Sequence, residues 1–433
     1  MQHDITELYK LYLENPSIST DTRNIVKGSI FFSLKGENFN ANAFAAQALE
    51  NGCSYAIVDE KEYCKDSRFV LVDDVLKTLQ DLATYHRKQL KIPVLGITGT
   101  NGKTTTKELI TEVLAKKYNV AATKGNLNNH IGVPLTLLSV KSENEIAVVE
   151  MGANHPGEIG ELCKISDPDL GIITNIGKAH LEGFGSLEGI VNTKKELFDS
   201  VRNKKGKVFV CRDNGLLMNL SNEMERITYG VFPDSSCKGE ITESNPLLKI
   251  KWYCKADNSW FNISTNLIGY YNFENVLAAV CIGDYFGVES NDIKDAIENY
   301  QPSNHRSQLI TTAKNNILMD AYNANPTSME AALQNFMHSS CDHKFAILGD
   351  MLELGNDSVQ EHKKIFEIAT NARFEKLILV GKVFSSLDSS SDITSFINVE
   401  EAVGWIKAQN LKNCNILIKG SRGIKLEKLL EYL

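Results

Sequence analysis

The segment Thr98-Gly-Thr-Asn-Gly-Lys-Thr-Thr105 follows an apolar run and opens a helical pattern. A glycine-rich turn between strand and helix gathers backbone N–H groups and a helix N-terminus at one spot, which suits polyphosphate. Lys103 is placed to reach the β- and γ-phosphates, and the Thr104 hydroxyl to ligate Mg²⁺. The general phosphate-loop pattern asks for glycine where Ile97 stands, so this loop is a variant form. Glu150 closes the apolar run Ile146-Ala-Val-Val-Glu150, and His180 follows another, in Asn175-Ile-Gly-Lys-Ala-His180. Ligands of open α/β sheets bind at the carboxyl ends of strands, so both residues are predicted to project towards the phosphate loop. A carboxylate and an imidazole there could hold a divalent cation. Lys194 falls in the middle of a helical apolar stripe made of Leu187, Ile190, Val191, Leu197, Phe198 and Val201, with Glu196 on the opposite face. The stripe leaves two readings open. The amine could snorkel to water past its own stem. Alternatively, burial lowers its pKa, and the neutral amine takes up CO₂ as a carbamate, an anionic metal ligand.

The elements that must position these residues follow from the apolar pattern. Residues 1–90 read as a small α+β domain, with strands at Ser29–Leu34, Tyr55–Val58 and Phe69–Val72 and a helix capped by Asp74. Residues 91–302 alternate strand and helix, which predicts a mostly parallel, phosphate-loop-type sheet covered on both faces. Within them, 225–265 is more polar and predicts an antiparallel extension. Residues 303–433 alternate again, with four strands expected, as a Rossmann-like α/β domain. Tyr300-Gln-Pro-Ser-Asn304 is the expected hinge.

Composition excludes several classes. The 433 residues carry a net charge of −8 and no long basic block, which argues against a nucleic-acid binder. No apolar run is long enough to span a membrane, and the first residues do not read as a secretory signal. Nine cysteines without CxxC spacing predict buried, reduced thiols, with no zinc site or disulfide framework. The expectation is a cytoplasmic protein.

Together these motifs resemble the Mur ligase family, the ATP-dependent amide-forming enzymes of peptidoglycan assembly. The resemblance covers nearly the whole chain. Thr98–Thr104 is similar to that family's variant phosphate loop. Val148-Val-Glu-Met-Gly-Ala-Asn-His155, Asn175–Gly185, Asp320-Ala-Tyr-Asn-Ala-Asn-Pro326, Leu348-Gly-Asp-Met-Leu-Glu-Leu-Gly355 and Lys419-Gly-Ser-Arg422 resemble the members that join D-alanyl-D-alanine to UDP-MurNAc-tripeptide. The resemblance implies those two substrates, ATP, and a monomer. It makes Lys194 a carbamylated lysine, and Lys103, His180 and Lys194 the catalytic set. Thr104, Glu150, His180 and Lys194 become ligands of two Mg²⁺ sites. Gly99, Thr100, Asn101, Gly102, Lys103, Thr104 and Thr105 are implied to bind ATP. Asn275 would contact adenine, Asp320 the ribose, and Arg306 the nucleotide from the third domain. Thr22, Arg23, Ser33 and Lys35 resemble a uridine-diphosphate site. Asn126, Asn128 and Asn129 resemble the loop facing the sugar-peptide, and Asn323, Ala324 and Asn325 are the candidates for reading the dipeptide. The sequence departs from the family pattern at Asn40-Ala41-Asn42, at Tyr271, where the family has histidine, and at Cys211-Arg-Asp213. The rival expectations are another Mur-type or folylpolyglutamate-type ligase, or a nucleotide-operated switch protein.

Overall fold

The computed structural model describes residues 4–302, 306–372, 374–387 and 393–433. The chain forms three successive α/β units, each built on its own sheet. The first sheet is parallel, in the order Ile18–Ser19, Ile30–Phe32, Tyr55–Val58, Phe69–Leu71. Asp74 caps the helix Val75–Gln89 by accepting from the Lys77 N–H at 2.8 Å. That helix is bolted to the central unit. The Arg87 guanidinium donates to the carbonyls of Ser166 and Asp167, both at 2.9 Å, and to the Asp169 carboxylate at 2.8 Å. Tyr12 donates its hydroxyl to the Leu138 carbonyl at 2.7 Å.

The central sheet has nine strands, with Val94–Thr98 between Leu170–Ile173 and Ile146–Glu150. Every residue of Val94–Thr98 and Ile146–Glu150 is buried, as expected for strands covered on both faces. The predicted antiparallel extension is narrower than 225–265. Glu225–Gly230 is parallel to Lys207–Cys211, because the helix Gly215–Leu220 carries the chain back to the same end of the sheet. Only Cys237–Glu243, Leu247–Cys254 and Ser259–Ile268 pair antiparallel. In Leu247–Cys254 deeper and shallower burial alternate along the strand, which is the signature of one open face.

The third sheet runs Gln308–Thr311, Asn316–Asp320, Asn415–Lys419, Lys344–Gly349, Lys376–Val380, Thr394–Phe396, parallel except for its first strand. The four inner strands match the expected ones. The two edge strands were not legible, because neither carries a continuous buried run. Of the expected hinge, Ser303 and Asn304 lie outside the described residues. Its first residue is anchored to the central unit: the Tyr300 hydroxyl donates to Glu108 at 2.7 Å, and its carbonyl accepts from Asn266 at 3.1 Å. The cysteines are mostly buried, but Cys64 is exposed and Cys341 half-buried, a departure from the expectation. Among the described residues no helix is long and apolar enough to cross a membrane.

Candidate active site

The phosphate loop is held open by its glycines and strapped down from below. Gly99 and Gly102 have φ of +150° and +77°. A Cβ on Gly99 would lie 1.9 Å from the Thr174 hydroxyl, and one on Gly102 2.5 Å from the Asn275 amide oxygen. The Asn101 carbonyl accepts from Thr174 at 2.7 Å and from Asn175 at 3.0 Å, while its N–H donates to the Asn175 side chain at 2.9 Å. Lys103, the first residue of the helix Lys103–Leu114, donates its ammonium to the Gly99 and Thr100 carbonyls at 2.8 and 3.1 Å. Burial pushes the Lys103 pKa down and Arg306 adds to the shift, against the opposing pull of Glu150. Two cations crowded over a helix N-terminus match a polyanion. Gly102→Ala is therefore expected to destabilise the protein by about 1–2 kcal/mol from the left-handed backbone alone. It should also weaken ATP binding; thermal melts and calorimetric titration check both.

Glu150 is 1% exposed at the end of its strand. Its Oε1 accepts from Thr104 at 3.2 Å and from Asn128 at 2.8 Å. Its Oε2 is buried and has no partner among the described residues. A carboxylate oxygen in that state is costly unless a cation or donor joins it. Among the described residues no three His, Cys, Asp or Glu side chains gather into a cation cage. That sparse donor set fits Mg²⁺, which binds through one or two carboxylates plus phosphate oxygens and water. His180 sits at φ +50°, a strained backbone for a non-glycine residue, before the short helix Leu181–Phe184. Its buried Nδ1 lies against the carboxylate of Glu353 without an aligned hydrogen bond among the described residues, and this contact holds the Glu353 pKa below the usual range.

Lys194, on the helix Leu187–Asn203, is 3% exposed and forms no hydrogen bond or ion pair among the described residues. Its ammonium lies 5.6 Å from the centre of the Phe184 ring. Burial first, then Lys103, push its pKa down to about 7, while Glu158 and Glu196 oppose the shift. Lys194 sits behind the cleft and not on its lining. One detail of the expected stripe differs: Leu187 is exposed at the helix start. Glu196 is half-buried. Its carboxylate accepts from the N–H groups of Gly157 and Gly160 at 3.1 and 2.6 Å, capping the next helix.

A cleft of about 1720 Å³ opens over these groups. The loop residues Thr100 to Thr105, Glu150, His180, Asn275, Arg306 and Asp320 all line it, while Gly99, expected to bind ATP, lies outside the lining. The Asn275 amide is fixed by Thr106 at 3.0 Å and Asn272 at 2.8 Å. The Arg306 guanidinium lies 3.6 Å from the Tyr322 ring centre. Asp320 accepts from the Ser307 N–H at 3.2 Å and from Lys419, itself 1% exposed, at 2.5 Å. Tyr271 shares a hydrogen bond with Ser307 at 2.9 Å.

The asparagines divide. Asn126, Asn128, Asn129 and Asn323 line the cleft, although Asn129 also caps Gly132 at 2.9 Å. Asn325, expected to read a dipeptide, instead caps the helix Pro326–Met337 and donates to the Asn101 side chain at 2.8 Å. Ala324 is buried beside it.

The first-unit candidates lie apart from the cleft lining: Thr22, Arg23, Ser33 and Lys35. Arg23 is exposed and paired with Asp21. Ser33 is fully buried, its hydroxyl unpartnered among the described residues. Lys35 is paired with Asp59 and Glu60, both at 2.8 Å. The departure at Asn40-Ala41-Asn42 belongs to the same network, since the buried Asn42 amide donates to Asp59 at 2.8 Å and Asn40 donates to Glu60 at 3.0 Å. Asn175, Glu353 and Lys419 are the residues to which sequence reasoning gave no role. All three sit inside motifs it quoted, but their partners come from distant segments.

Comparison with known proteins agrees with this geometry. The family profile "Mur ligase middle domain" matches residues 97–283, and "Mur ligase, glutamate ligase domain" matches 305–422. The UDP-N-acetylmuramoyl-tripeptide--D-alanyl-D-alanine ligase of Bacillus subtilis is 34% identical, over 99% of this chain and 97% of the relative. The Escherichia coli protein of the same name is 31% identical, over 96% and 93%. MurF from Acinetobacter baumannii superposes with a TM-score of 0.86 at 30% identity, covering 98% and 97% of the two chains. MurF ligase from Thermotoga maritima, solved in complex with ADP, gives 0.84 at 26% identity, covering 97% of each. With its variant phosphate loop and docked third unit, the chain belongs to the Mur ligase family.

Proposed function

We propose that this enzyme joins D-alanyl-D-alanine to UDP-MurNAc-tripeptide at the expense of ATP, producing the pentapeptide precursor of peptidoglycan. The observation that carries the reading is the unpartnered Glu150 Oε2, in one cleft with the phosphate loop, His180 and the third-unit residues Arg306 and Asp320. The printed names of the relatives support the substrate pair.

A carboxylate is a poor electrophile towards an amine. Transfer of the γ-phosphoryl group of ATP to the terminal carboxylate of the tripeptide forms an acyl phosphate and releases ADP. The dipeptide amine attacks the acyl carbon, and the tetrahedral intermediate collapses to the amide and expels phosphate. Phosphoryl transfer needs positioning and charge neutralisation above all. The loop N–H groups orient the polyphosphate, and the Lys103 ammonium exchanges the Gly99 and Thr100 carbonyls for phosphate oxygens. Asn275 is set to meet adenine, Asp320 the ribose, and Arg306 the phosphates. Thr104, Glu150, His180 and carbamylated Lys194 are the residues that would hold two Mg²⁺, which supply charge neutralisation when bound. Asn126, Asn128, Asn129 and Asn323 face the acyl and amine substrates. In this division residues 1–90 hold the nucleotide-sugar, 91–302 the ATP, and 303–433 the dipeptide.

Phosphate release from ATP is the test. It is expected only when UDP-MurNAc-tripeptide and D-alanyl-D-alanine are both present. Release that ignores the dipeptide, or that responds to a folate and glutamate instead, would overturn the assignment in favour of another ligase.

A further inference from the structure

His180 and Glu353 belong to different units, and the structure presses them together. The Glu353 carboxylate lies against the His180 Nδ1. One step along, the Glu182 N–H donates to the Glu353 carbonyl at 3.3 Å, and Gly355 packs against Glu182. Both partners hold left-handed backbones, with φ of +50° at His180 and +63° at Glu353. Non-glycine residues keep such conformations only where the surroundings over-determine them, and such sites cluster where function requires them. Two strained loops therefore meet at one carboxylate–imidazole contact.

We propose that Glu353 is a positioning residue for the metal site: third-unit docking sets its carboxylate against the buried His180 Nδ1, which has no other partner among the described residues, and so favours the tautomer with the proton on Nδ1 and Nε2 as the free lone pair. This rests on reading His180 as a metal ligand. An imidazole beside a carboxylate carries its proton on the nitrogen that faces it, and the opposite nitrogen becomes the more basic ligand. A free imidazole in water divides between two tautomers and many ring orientations. Docking removes that freedom, so the cation site reaches full affinity only when the third unit is seated. Cation binding and docking are then coupled reciprocally.

The test uses Mn²⁺ as the probe, titrated into the full chain by electron paramagnetic resonance with a non-hydrolysable ATP analogue present. Glu353→Ala is expected to weaken Mn²⁺ binding by about 10–100-fold, the usual effect of losing such a partner. Lys178→Ala is the control for docking alone. It breaks a second cross-unit contact, Lys178 to Glu361 at 2.8 Å, without touching the imidazole, and should weaken Mn²⁺ binding far less than Glu353→Ala does. His180→Ala tests the underlying reading. If His180→Ala binds Mn²⁺ as the wild type does, His180 is no ligand and both ideas fall. If His180→Ala weakens binding but Glu353→Ala does not, the ligand reading stands and the positioning role is wrong. If Lys178→Ala weakens binding as much as Glu353→Ala, docking and not the carboxylate is responsible, and the proposal is again wrong. A readout free of variants is the ¹⁵N shift of the His180 ring in the metal-free wild-type protein. The Nδ1–H tautomer is expected, and a dominant Nε2–H tautomer would overturn the proposal.

Discussion

Lys103→Ala is expected to lower kcat by about 10³-fold, the scale at which pre-organised charge acts on a transferring group. The KM for UDP-MurNAc-tripeptide should change little, because the lysine faces the loop and not the acyl substrate. The wild-type ammonium is held by two loop carbonyls, Gly99 and Thr100, so removing it leaves the loop path itself intact. Those carbonyls can turn to water in the cleft, and the melting temperature should stay close to wild type. Single-turnover phosphoryl transfer separates this outcome from a binding defect. A loss that appears only as a raised KM for ATP would show that Lys103 binds nucleotide and does no more.

Lys194→Ala is expected to be as damaging to turnover, and to recover in part when short carboxylic acids are supplied to stand in for the carbamate. The same residue sets a pH dependence. Its pKa in the folded chain is about 7 against 10.5 for an ordinary lysine. Between these values the unfolded chain binds the proton and the folded chain does not, so stability in bicarbonate-free buffer rises with pH over that window. Below about pH 7 the folded chain must bury an ammonium. At pH 7 the penalty is roughly 4 kcal/mol by the linkage relation. Lys194→Met should therefore melt higher than the uncarbamylated wild type near neutrality while being inactive. Carbamate formation needs the neutral amine, so activation by bicarbonate should climb as pH passes upward through about 7. An activity indifferent to bicarbonate and to Lys194→Ala would remove this lysine from the site.

What could be read in advance was what is local. The phosphate loop announces itself because glycines, lysine and threonine act within one turn of chain. Glu150 and His180 were legible because a parallel sheet collects its strand ends on one side. Lys194 stood out as a polar intrusion in an apolar stripe, and the residue is indeed buried. Contacts that join distant segments were not legible. Asn325 reaches Asn101 across 224 residues, and Lys419 reaches Asp320 across 99. No spacing rule encodes such pairs: the first exists only after two separate sheets have docked, and the second only after two distant strands of one sheet have paired. Lys35 failed to reach the cleft for a related reason: its cationic head is satisfied by Asp59 and Glu60, acids nothing in the local motif singles out. The edge strands escaped because a half-wet strand carries no buried run.

Arg87 gives the boundary near residue 90 a different meaning. Its guanidinium supplies hydrogen bonds to the two carbonyls that end the helix Glu158–Ser166, sharing the second with Lys204 of the central unit. Severed from residues 1–90, the remainder would bare the Ser166 carbonyl and the apolar floor beneath Leu79 and Leu82, and would leave Asp167 and Asp169 with only Lys204 and the Val94 N–H. Each stranded polar group costs about 1–3 kcal/mol, and the net stability of a domain is only about 5–15 kcal/mol. Expressed without its leading segment, the ATP-binding sheet would fall to proteases and aggregation. The chain is three units by topology, but the first two live or unfold together.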